Sequence, residues 1–512
     1  METNGFFNCI IKSLCFCALL GLDLSSASTP YVGKIYPGFE GSQMKWVAYN
    51  GVFLLSNNSV FALRFYNGLD VASFFLVVIH VQSSKIVWTA NRGLLVRNTD
   101  KFVFDKNGNV YLENATSVVW STDTKGKGVT SMELRDTGNL VLVGDNRKIL
   151  WQSFSHPTDT LLSGQEFVEG MILKSFPSQR NLNHYLEIKS NDVILYAGYR
   201  TPQVYWSMAN DNGTAIKEAN GTIFSASIVA NSWNFYDRNK TLVWQFRFSR
   251  INDFNATWAI NDVNATWAAV LGTEGSVSFI NLERGAMPGP PPLKIPKNSC
   301  GTPEPCNPFV VCSFDIRCQC PPALSSHPNC MPQLDIPCNS SQSVVEMLYI
   351  GEKLHYFALG FVAPILKTHL NGCKETCIRN CSCRVLFFEN TSGNCFLFDQ
   401  IGSLQRADSG SSGFTAYIKV QIGNGTKGKK HVASIVIISV LTDEMHMRPP
   451  MSKVVQMLEG LCAVPEPPAL VQMSSRLYSS FFKTSSEEGI SSGLTVIDSV
   501  GLLPDVELSG PR

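Results

Sequence analysis

Three short tryptophan-centred segments recur at nearly equal spacing and constrain the fold of this chain more than any other feature. They read I-V-W-T-A-N around Trp88, V-V-W-S-T around Trp120 and I-L-W-Q-S around Trp151, 32 and 31 residues apart. A glycine-asparagine pair and alternating apolar residues (G-N-V-Y-L and G-N-L-V-L) precede the second and third tryptophan. This pattern predicts a repeated antiparallel unit of turn and strand. Because one such unit cannot bury its own tryptophan, we predict three units packed around one axis with the tryptophans in a shared core.

Length and charge limit the class of protein. The 512 residues exceed what a single hydrophobic core serves, so several domains are expected. Charged residues make up only 16% of the chain, and the net charge is +1. This balance does not indicate a nucleic acid as partner.

The N-terminus and the cysteines indicate secretion. Residues 1–28 resemble a signal peptide, with a short apolar core (S-L-C-F-C-A-L-L-G-L) followed by small residues (S-A-S). Of 16 cysteines, twelve lie between Cys300 and Cys395, which is typical of a disulfide framework formed in an oxidising compartment. Their spacing is too tight for zinc knuckles, so neither a metal site nor a cofactor is expected.

Acceptor sites for N-glycosylation support an extracellular location for the first part of the chain. They all lie before residue 427, and the last 85 residues contain none. We predict N-glycosylation at Asn57, Asn114, Asn212, Asn220, Asn239, Asn255, Asn264, Asn339, Asn390 and Asn424.

Changes in composition divide the chain. Strand-like residues 29–165 are followed by a second strand-rich region, 166–292, which ends in a proline-rich linker. Two cysteine-rich regions follow, and in the second a short helix is expected with Cys373 and Cys377 one turn apart. Residues 432–441 are apolar but too few to cross a bilayer, so they read as a truncated transmembrane segment. Residues 442–512 contain a helix signal beginning at Ser452 and a tail that is expected to be disordered.

The line from Trp151 to Gln165, W-Q-S-F-S-H-P-T-D-T-L-L-S-G-Q, resembles the hallmark of plant receptor-like serine/threonine kinases with a bulb-type (G-type) lectin and S-locus glycoprotein-like ectodomain. F-L-L-S-N-N from Phe53 and W-T-A-N-R from Trp88 add to the resemblance, which covers residues 30 to about 441. It implies a mainly β chain whose lectin unit is a β-prism II of three four-stranded sheets. The implied order is a bulb-type lectin domain at 29–165, a second lectin-like or S-locus glycoprotein-like unit at 166–292, an EGF-like module at 299–331 and a PAN/apple-like module at 338–420.

The resemblance also implies a set of disulfides. Sequence alone leaves 15 connectivities for each set of six cysteines. The implied pairs are Cys300–Cys312, Cys306–Cys318, Cys320–Cys330, Cys373–Cys395 and Cys377–Cys383.

The family's mannose motif, Gln-x-Asp-x-Asn-x-Val-x-Tyr, places its polar side chains on one face of a strand. The copy through Asn109 keeps only the asparagine, and the copy through Asn139 keeps the asparagine and the valine. Because each asparagine follows a glycine, its interpretation as a turn residue is favoured. The candidate carbohydrate-binding residues are Asn107, Asn109, Tyr111, Asn139 and Val141.

The C-terminal line R-P-P-M-S-K-V-V-Q-M-L-E-G resembles the last helix of the same family's kinase domain. The chain lacks the glycine-rich loop, the V-A-I-K lysine, the H-R-D loop and the D-F-G metal site, so no kinase activity is expected. A hydrolytic triad among Ser153, Ser155, His156 and Asp159 is weighed against a structural turn, which Pro157 favours.

These features predict a non-catalytic, secreted or cell-surface glycoprotein ectodomain. Its ligand would be a mannose-type glycan or a peptide or protein, and a receptor homo- or heterodimer is a further expected assembly. The alternative is an incomplete gene model of a membrane receptor serine/threonine kinase.

Overall fold

The computed structural model describes residues 29–68, 72–211, 215–247, 265–284, 293–313, 316–332, 344–407 and 413–422. The expected signal peptide, the 432–441 segment and the 442–512 region lie outside these residues. So do five of the predicted glycosylation acceptors, namely Asn212, Asn255, Asn264, Asn339 and Asn424.

The first part of the chain forms fourteen strands in three sheets. The sheets are ordered β1-β4-β5-β6-β7 with β8 beside β6, then β11-β10-β9-β3, and β14-β13-β12-β2. The strands are β1 (Tyr31–Val32), β2 (Lys34–Ile35), β3 (Phe39–Gly41), β4 (Val52–Leu55), β5 (Phe61–Asn67), β6 (Ser73–His80), β7 (Lys85–Thr89), β8 (Val96–Arg97), β9 (Lys101–Phe104), β10 (Val110–Glu113), β11 (Val118–Ser121), β12 (Val129–Leu134), β13 (Leu140–Gly144) and β14 (Ile149–Gln152).

Each sheet contributes one tryptophan to the axis of this unit. Trp88 on β7, Trp120 on β11 and Trp151 on β14 form a triangle of edge-to-face contacts, with ring centroids 5.7, 5.9 and 5.9 Å apart. Edge-to-face packing is the geometry that aromatic rings prefer. The predicted shared tryptophan core is therefore confirmed.

The glycine of the repeated turn is required by space as well as by backbone angle. Gly138 has φ of +83°, and a Cβ placed there would lie 2.8 Å from the Leu162 side chain. Only glycine meets both conditions without strain, so the turn before β13 depends on it.

A second three-sheet unit follows. Its sheets are ordered β15-β25-β26-β27, β16-β22-β23-β24-β21 and β17-β18-β19-β20. Strand β15 lies inside the 29–165 range expected for the first unit, yet it pairs with β25 of this second set. The strands are β15 (Thr160–Leu162), β16 (Phe167–Val168), β17 (Ile172–Lys174), β18 (His184–Lys189), β19 (Asp192–Ala197), β20 (Gln203–Ser207), β21 (Ala215–Lys217), β22 (Ser225–Val229), β23 (Ser232–Tyr236), β24 (Leu242–Arg247), β25 (Trp267–Leu271), β26 (Val277–Asn281) and β27 (Lys294–Ile295).

The cysteine-rich regions share one eight-stranded sheet, ordered β29-β28-β34-β30-β35-β32-β33-β31. The parallel pair β28–β34 joins the first cysteine-rich region to the second. The elements are β28 (Val311–Ser313), β29 (Arg317–Gln319), β30 (Val344–His355), β31 (Leu366–Lys367), helix α1 (Leu370–Arg379), β32 (Val385–Glu389), β33 (Asn394–Phe398), β34 (Leu404–Arg406) and β35 (Phe414–Ile422).

Disulfides hold both cysteine-rich regions. Helix α1 forms where a short helix was expected, and its buried Cys373 and Cys377 lie one turn apart on the face that packs on the sheet. The structure joins the same five pairs that the resemblance implies, which are Cys300–Cys312, Cys306–Cys318, Cys320–Cys330, Cys373–Cys395 and Cys377–Cys383.

The hydrophobic core of the second unit continues into the C-terminal sheet. One cluster of buried side chains includes Phe235 and Phe279 of the second unit together with Tyr356 and Phe387. The Tyr356 ring is fully buried and stacks on Phe387 at 5.5 Å. The second unit and the C-terminal sheet therefore pack as one body.

Short 3₁₀ helices connect several strands. Among the described residues, no helix is both long enough and apolar enough to cross a membrane. The 3₁₀ helices are Gln43–Tyr49, Asp145–Arg147, Ser153–Ser155, Met208–Asn210, Leu282–Arg284, Ser299–Gly301, Pro322–Leu324, Pro328–Cys330 and Phe357–Gly360.

Candidate carbohydrate-binding faces

The candidate residues lie on the outer faces of two sheets of the first unit. Successive side chains of a strand point to opposite faces. Leu112 on β10 is opposite Trp120 and fully buried in the core, so its neighbour Tyr111 points outward. Leu142 on β13 is likewise opposite Trp151, which places Val141 on the outer face. These two faces are where a sugar would meet the predicted motif residues.

The side chain of Asn109 is used inside the protein. Its Oδ1 accepts hydrogen bonds from the backbone N–H of Thr124 at 3.0 Å and from the Thr122 hydroxyl at 3.3 Å. Its Nδ2 donates to Ser121 Oγ at 3.2 Å. Both ends of the amide thus fix the loop that follows β11.

The turn before β10 is held by Asp105. Its Oδ1 accepts hydrogen bonds from the backbone N–H groups of Asn107 at 2.8 Å and Asn109 at 2.9 Å. This arrangement is an Asx turn. The Asn107 side chain is exposed at the tip of this turn. Of the two asparagines, Asn107 is the one that remains available to solvent.

Tyr111 lies on an acidic outer face. Partial burial raises its pKa, and the carboxylates of Glu113, Asp105 and Glu40 raise it further. Lys101 lies 3.5 Å from Glu40 and balances part of that charge. Such a face offers mainly hydrogen-bond acceptors, which suit the hydroxyl groups of a neutral sugar and repel an anionic one.

Asn139 repeats the arrangement of Asn109 at greater depth. Its Oδ1 accepts from Ser153 Oγ and from the backbone N–H of Phe154, both at 3.2 Å, and its Nδ2 donates to Gln152 Oε1 at 2.9 Å. Val141 on the same face is 0% exposed. The structure therefore leaves neither the Asn139 amide nor the Val141 side chain open to a ligand.

The outer face of the remaining sheet is apolar. Ala62, Val77 and Ile79 form a small buried cluster of their own on this side. The guanidinium of Arg64 lies over the Tyr66 ring, 5.3 Å from its centroid. This face has few polar groups for sugar hydroxyls, so it differs in chemistry from the other two.

The residues weighed as a hydrolytic triad are engaged separately. Ser153 Oγ donates to Asn139, and the His156 ring stacks on Trp151 with centroids 5.4 Å apart. Asp159 pairs with Arg92 at 3.5 Å. These residues support the turn after β14 and do not form a nucleophile-base pair.

The described glycosylation acceptors lie at the surface. Asn114 is half-buried, and its Oδ1 accepts a hydrogen bond from the Thr116 hydroxyl of its own acceptor sequence at 3.0 Å. The four exposed acceptors are Asn57, Asn220, Asn239 and Asn390.

A polar cluster that the sequence did not predict lies at the junction of the second unit with the first cysteine-rich region. There Arg180 and Glu304 form an ion pair at 3.6 Å beside the buried His184. These residues come from segments far apart in the chain, and no local motif marks them.

Comparison with known proteins matches this part of the chain to lectins. A family model described as D-mannose binding lectin matches residues 85–174. The G-type lectin S-receptor-like serine/threonine-protein kinase SD2-5 of Arabidopsis thaliana is 45% identical over 447 residues, which cover 85% of this chain and 53% of that protein. The homologue At5g35370 of the same plant is 26% identical over 438 residues, 79% of this chain and 48% of that protein. The chain thus spans about half the length of these curated relatives.

Solved structures that match include the mannose-specific agglutinin of snowdrop (Galanthus nivalis), at 15% identity and a TM-score of 0.12, covering 35% of this chain and 99% of that one. The two-domain fetuin-binding lectin of Scilla campanulata matches at 17% identity and a TM-score of 0.16, covering 42% of this chain and 82% of that one. These scores are low, so the assignment rests on the sequence matches. Those matches show that the chain belongs to the plant G-type lectin S-receptor-like kinase family, of which it carries the lectin-containing region.

Proposed function

We propose that this chain is the non-catalytic ectodomain of a plant lectin receptor-like kinase and binds a carbohydrate at the cell surface or in the apoplast. The observation that carries the proposal is the three-sheet unit closed around Trp88, Trp120 and Trp151, because it overlaps the region matched as a D-mannose binding lectin. On a scaffold of this kind recognition would fall to an outer face, and the face bordered by the exposed Asn107 is the one open to solvent.

The modules after the lectin units would present and stabilise that surface. We assign 299–331 as EGF-like, since three disulfides hold a segment with little apolar sequence of its own. We assign 338–420 as PAN/apple-like, since helix α1 is tied by Cys373–Cys395 to the sheet beneath it. These disulfides and the exposed glycosylation acceptors support an extracellular environment.

The two motif copies differ in what they offer a sugar. The amides of Asn109 and Asn139 are satisfied internally, whereas Asn107 and Tyr111 border an open polar face. If the first unit binds a mannose-type glycan, the face around Tyr111 is the surface that would do so.

Glycan-array binding by the secreted full chain tests this proposal. We expect binding to neutral glycans by the folded, disulfide-bonded protein. Binding to a peptide or protein from plant extracellular fluid, with no glycan bound by the folded chain, would contradict carbohydrate recognition and favour a peptide ligand.

The alternative is that the sequence belongs to an incomplete gene model of a membrane receptor serine/threonine kinase. The observation that favours it is the coverage of about half of the relatives' length. Sequencing the transcript across Leu441 and Thr442 distinguishes the two. A continuous reading frame through a full membrane span and a D-F-G motif would establish the alternative.

A further inference from the structure

A cleft of about 440 Å³ lies between the second β unit and the first cysteine-rich region. Its walls come from three separate segments, around Ser178–His184, around Thr273–Glu274 and around Glu304–Asn307. Clefts of 300–1,000 Å³ at junctions between structural units are a common location for small-molecule sites. The cleft is distinct from the motif faces, which belong to the first unit.

The charged groups of the cleft are paired with one another. Arg180 lies 3.6 Å from Glu304, donates to the Cys306 carbonyl at 3.3 Å and also donates to Asn307 Oδ1. Glu304 accepts a further hydrogen bond from Ser178 Oγ at 3.4 Å. An anionic ligand would therefore compete with Glu304 for Arg180, and a cationic one with Arg180 for Glu304. The pairing favours a neutral ligand.

The other charged residue of the lining is balanced too. The carboxylate of Glu274 lies 3.7 Å from the ammonium group of Lys294. No group of three metal-ligating side chains occurs among the described residues, so this part of the chain gives no sign of a bound cation. What remains for recognition are hydroxyl and amide groups, such as those of Thr273 and Gln179.

His184 supplies an independent sign of a missing partner. Its side chain lines the cleft and is 1% exposed, and within the described part of the chain neither ring nitrogen has a hydrogen-bond partner. Burial lowers its pKa to about 4, so the ring is neutral at physiological pH and has one donor and one acceptor nitrogen. Buried polar groups are normally satisfied. A hydroxyl group, which donates and accepts, is the chemical match for such a ring.

The His184 ring fits in its position because residue 275 is a glycine. Its φ is +84°, and a Cβ would lie 2.7 Å from Cδ2 and 2.9 Å from Nε2 of His184. The Thr273–Gly275 turn therefore closes directly over the imidazole edge. Both ring nitrogens are covered in this structure, so a ligand in the cleft would meet the turn first and would contact the ring where the turn moves aside.

From this geometry we propose that the cleft binds a neutral, hydroxyl-rich ligand of one or two hexose rings, with His184 and the Thr273 turn as its contacts. The proposal rests on the carbohydrate-binding function above and adds a second site to it. The pairing of Arg180 with Glu304 sets the preference for neutral over acidic sugars.

Calorimetry on the secreted full chain tests the site, with cellobiose, mannobiose and methyl α-mannoside as probes. Thr273→Trp fills the mouth of the cleft from an accessible turn, and His184→Phe keeps a planar aromatic ring, slightly larger than imidazole, but removes both nitrogens. We expect each variant to raise the Kd of a bound probe at least ten-fold. Lys367→Met, at the exposed end of β31 and outside both candidate sites, should leave that Kd unchanged. Tyr111→Ala, on the separate face of the first unit, tests the other candidate site.

The outcomes separate this proposal from the proposed function. Sugar binding that persists in a folded Thr273→Trp protein but is lost in Tyr111→Ala overturns the cleft and leaves the carbohydrate function standing. Failure of the wild-type chain to bind these probes, while it binds other glycans on an array, also overturns the cleft alone. Failure to bind any glycan overturns both.

Discussion

At the scale of single residues, Asn109 and Asn139 perform the same structural task in two repeats. Each uses its Oδ1 to hold a backbone N–H fifteen positions later, that of Thr124 or Phe154. The glycine before each asparagine was enough to predict a turn role. The sequence could not show the partner, because the hydrogen bond spans a whole strand and depends on how the hairpin closes.

Asn139→Ala should destabilise the protein by about 1–3 kcal/mol, because it leaves buried partners around Ser153 without a hydrogen bond. Urea unfolding of the variant measures the loss. Asn107→Ala, at an exposed position in the equivalent turn region, is the matched control and should change stability by less than about 0.5 kcal/mol. Equal effects of the two substitutions would contradict the structural role of Asn139.

His184 should make stability depend on pH. Its folded pKa is about 4, below the ordinary 6.5, so protons bind more tightly to the unfolded chain. The contribution of the neutral ring is complete above pH 6.5 and is lost as pH falls towards 4, by at most about 3 kcal/mol.

Urea unfolding at pH 7 and pH 4.5 checks this. His184→Phe should lose less stability than the wild type between the two pH values, and His369→Phe, at an exposed position, should lose as much as the wild type. If His184→Phe loses as much stability as the wild type between pH 7 and pH 4.5, other groups cause the loss.

At the scale of elements, residue spacing predicts local elements but not the pairing of strands that are distant in the chain. The tryptophan spacing predicted the relation of β7, β11 and β14, since a repeat that buries the same residue three times has few solutions. The cysteines one turn apart predicted helix α1. The pairing of β15 with β25 could not be predicted, because more than a hundred residues separate the two strands and their pairing is set by packing.

The end of helix α1 also depends on a distant residue. Lys419 on β35 is 4% exposed, and its ammonium group donates to the carbonyls of Cys377, Ile378 and Asn380 at 3.2, 3.0 and 3.1 Å. The last carbonyls of a helix have no partner within it, and a cation there also interacts favourably with the helix dipole. Lys419 therefore holds the helix to the sheet.

Replacing Lys419 with Met should lower the free energy of unfolding by about 1.5–3 kcal/mol, since three carbonyls at the end of the helix lose a charged donor. In the variant, hydrogen exchange should accelerate more for the amides of helix α1 than for those of β32, each compared with the wild type. The control is Lys367→Met, on the exposed end of β31. Unchanged exchange in the Lys419→Met helix would refute the capping role.

At the scale of the whole molecule, a buried polar contact links the second β unit to the C-terminal sheet. Tyr356 Oη donates to Gln203 Oε1 at 2.6 Å and accepts from the backbone N–H of Gly402 at 3.2 Å. Gln203 in turn donates to the Gln400 carbonyl at 2.7 Å. The resemblance predicted the order of these modules. It could not predict that they share a core or enclose a cleft, because neither property resides in any one module.

Tyr356→Phe should cost about 1–3 kcal/mol by leaving Gln203 and the Gly402 N–H unsatisfied in the interior. Thermal unfolding should still show these two parts melting together, at a lower temperature. Tyr349→Phe serves as control, because that ring is 45% exposed. Separate melting of the two parts in the wild type would contradict a shared core.

The most direct test of the account is glycan binding by the intact, secreted chain, measured on an array. Formation of the native disulfide pairs serves as the check that the chain is folded. The account predicts binding to neutral glycans that persists in Asn139→Ala protein that remains folded, since that amide serves the scaffold and not the ligand. A folded wild-type chain that binds no glycan would contradict it.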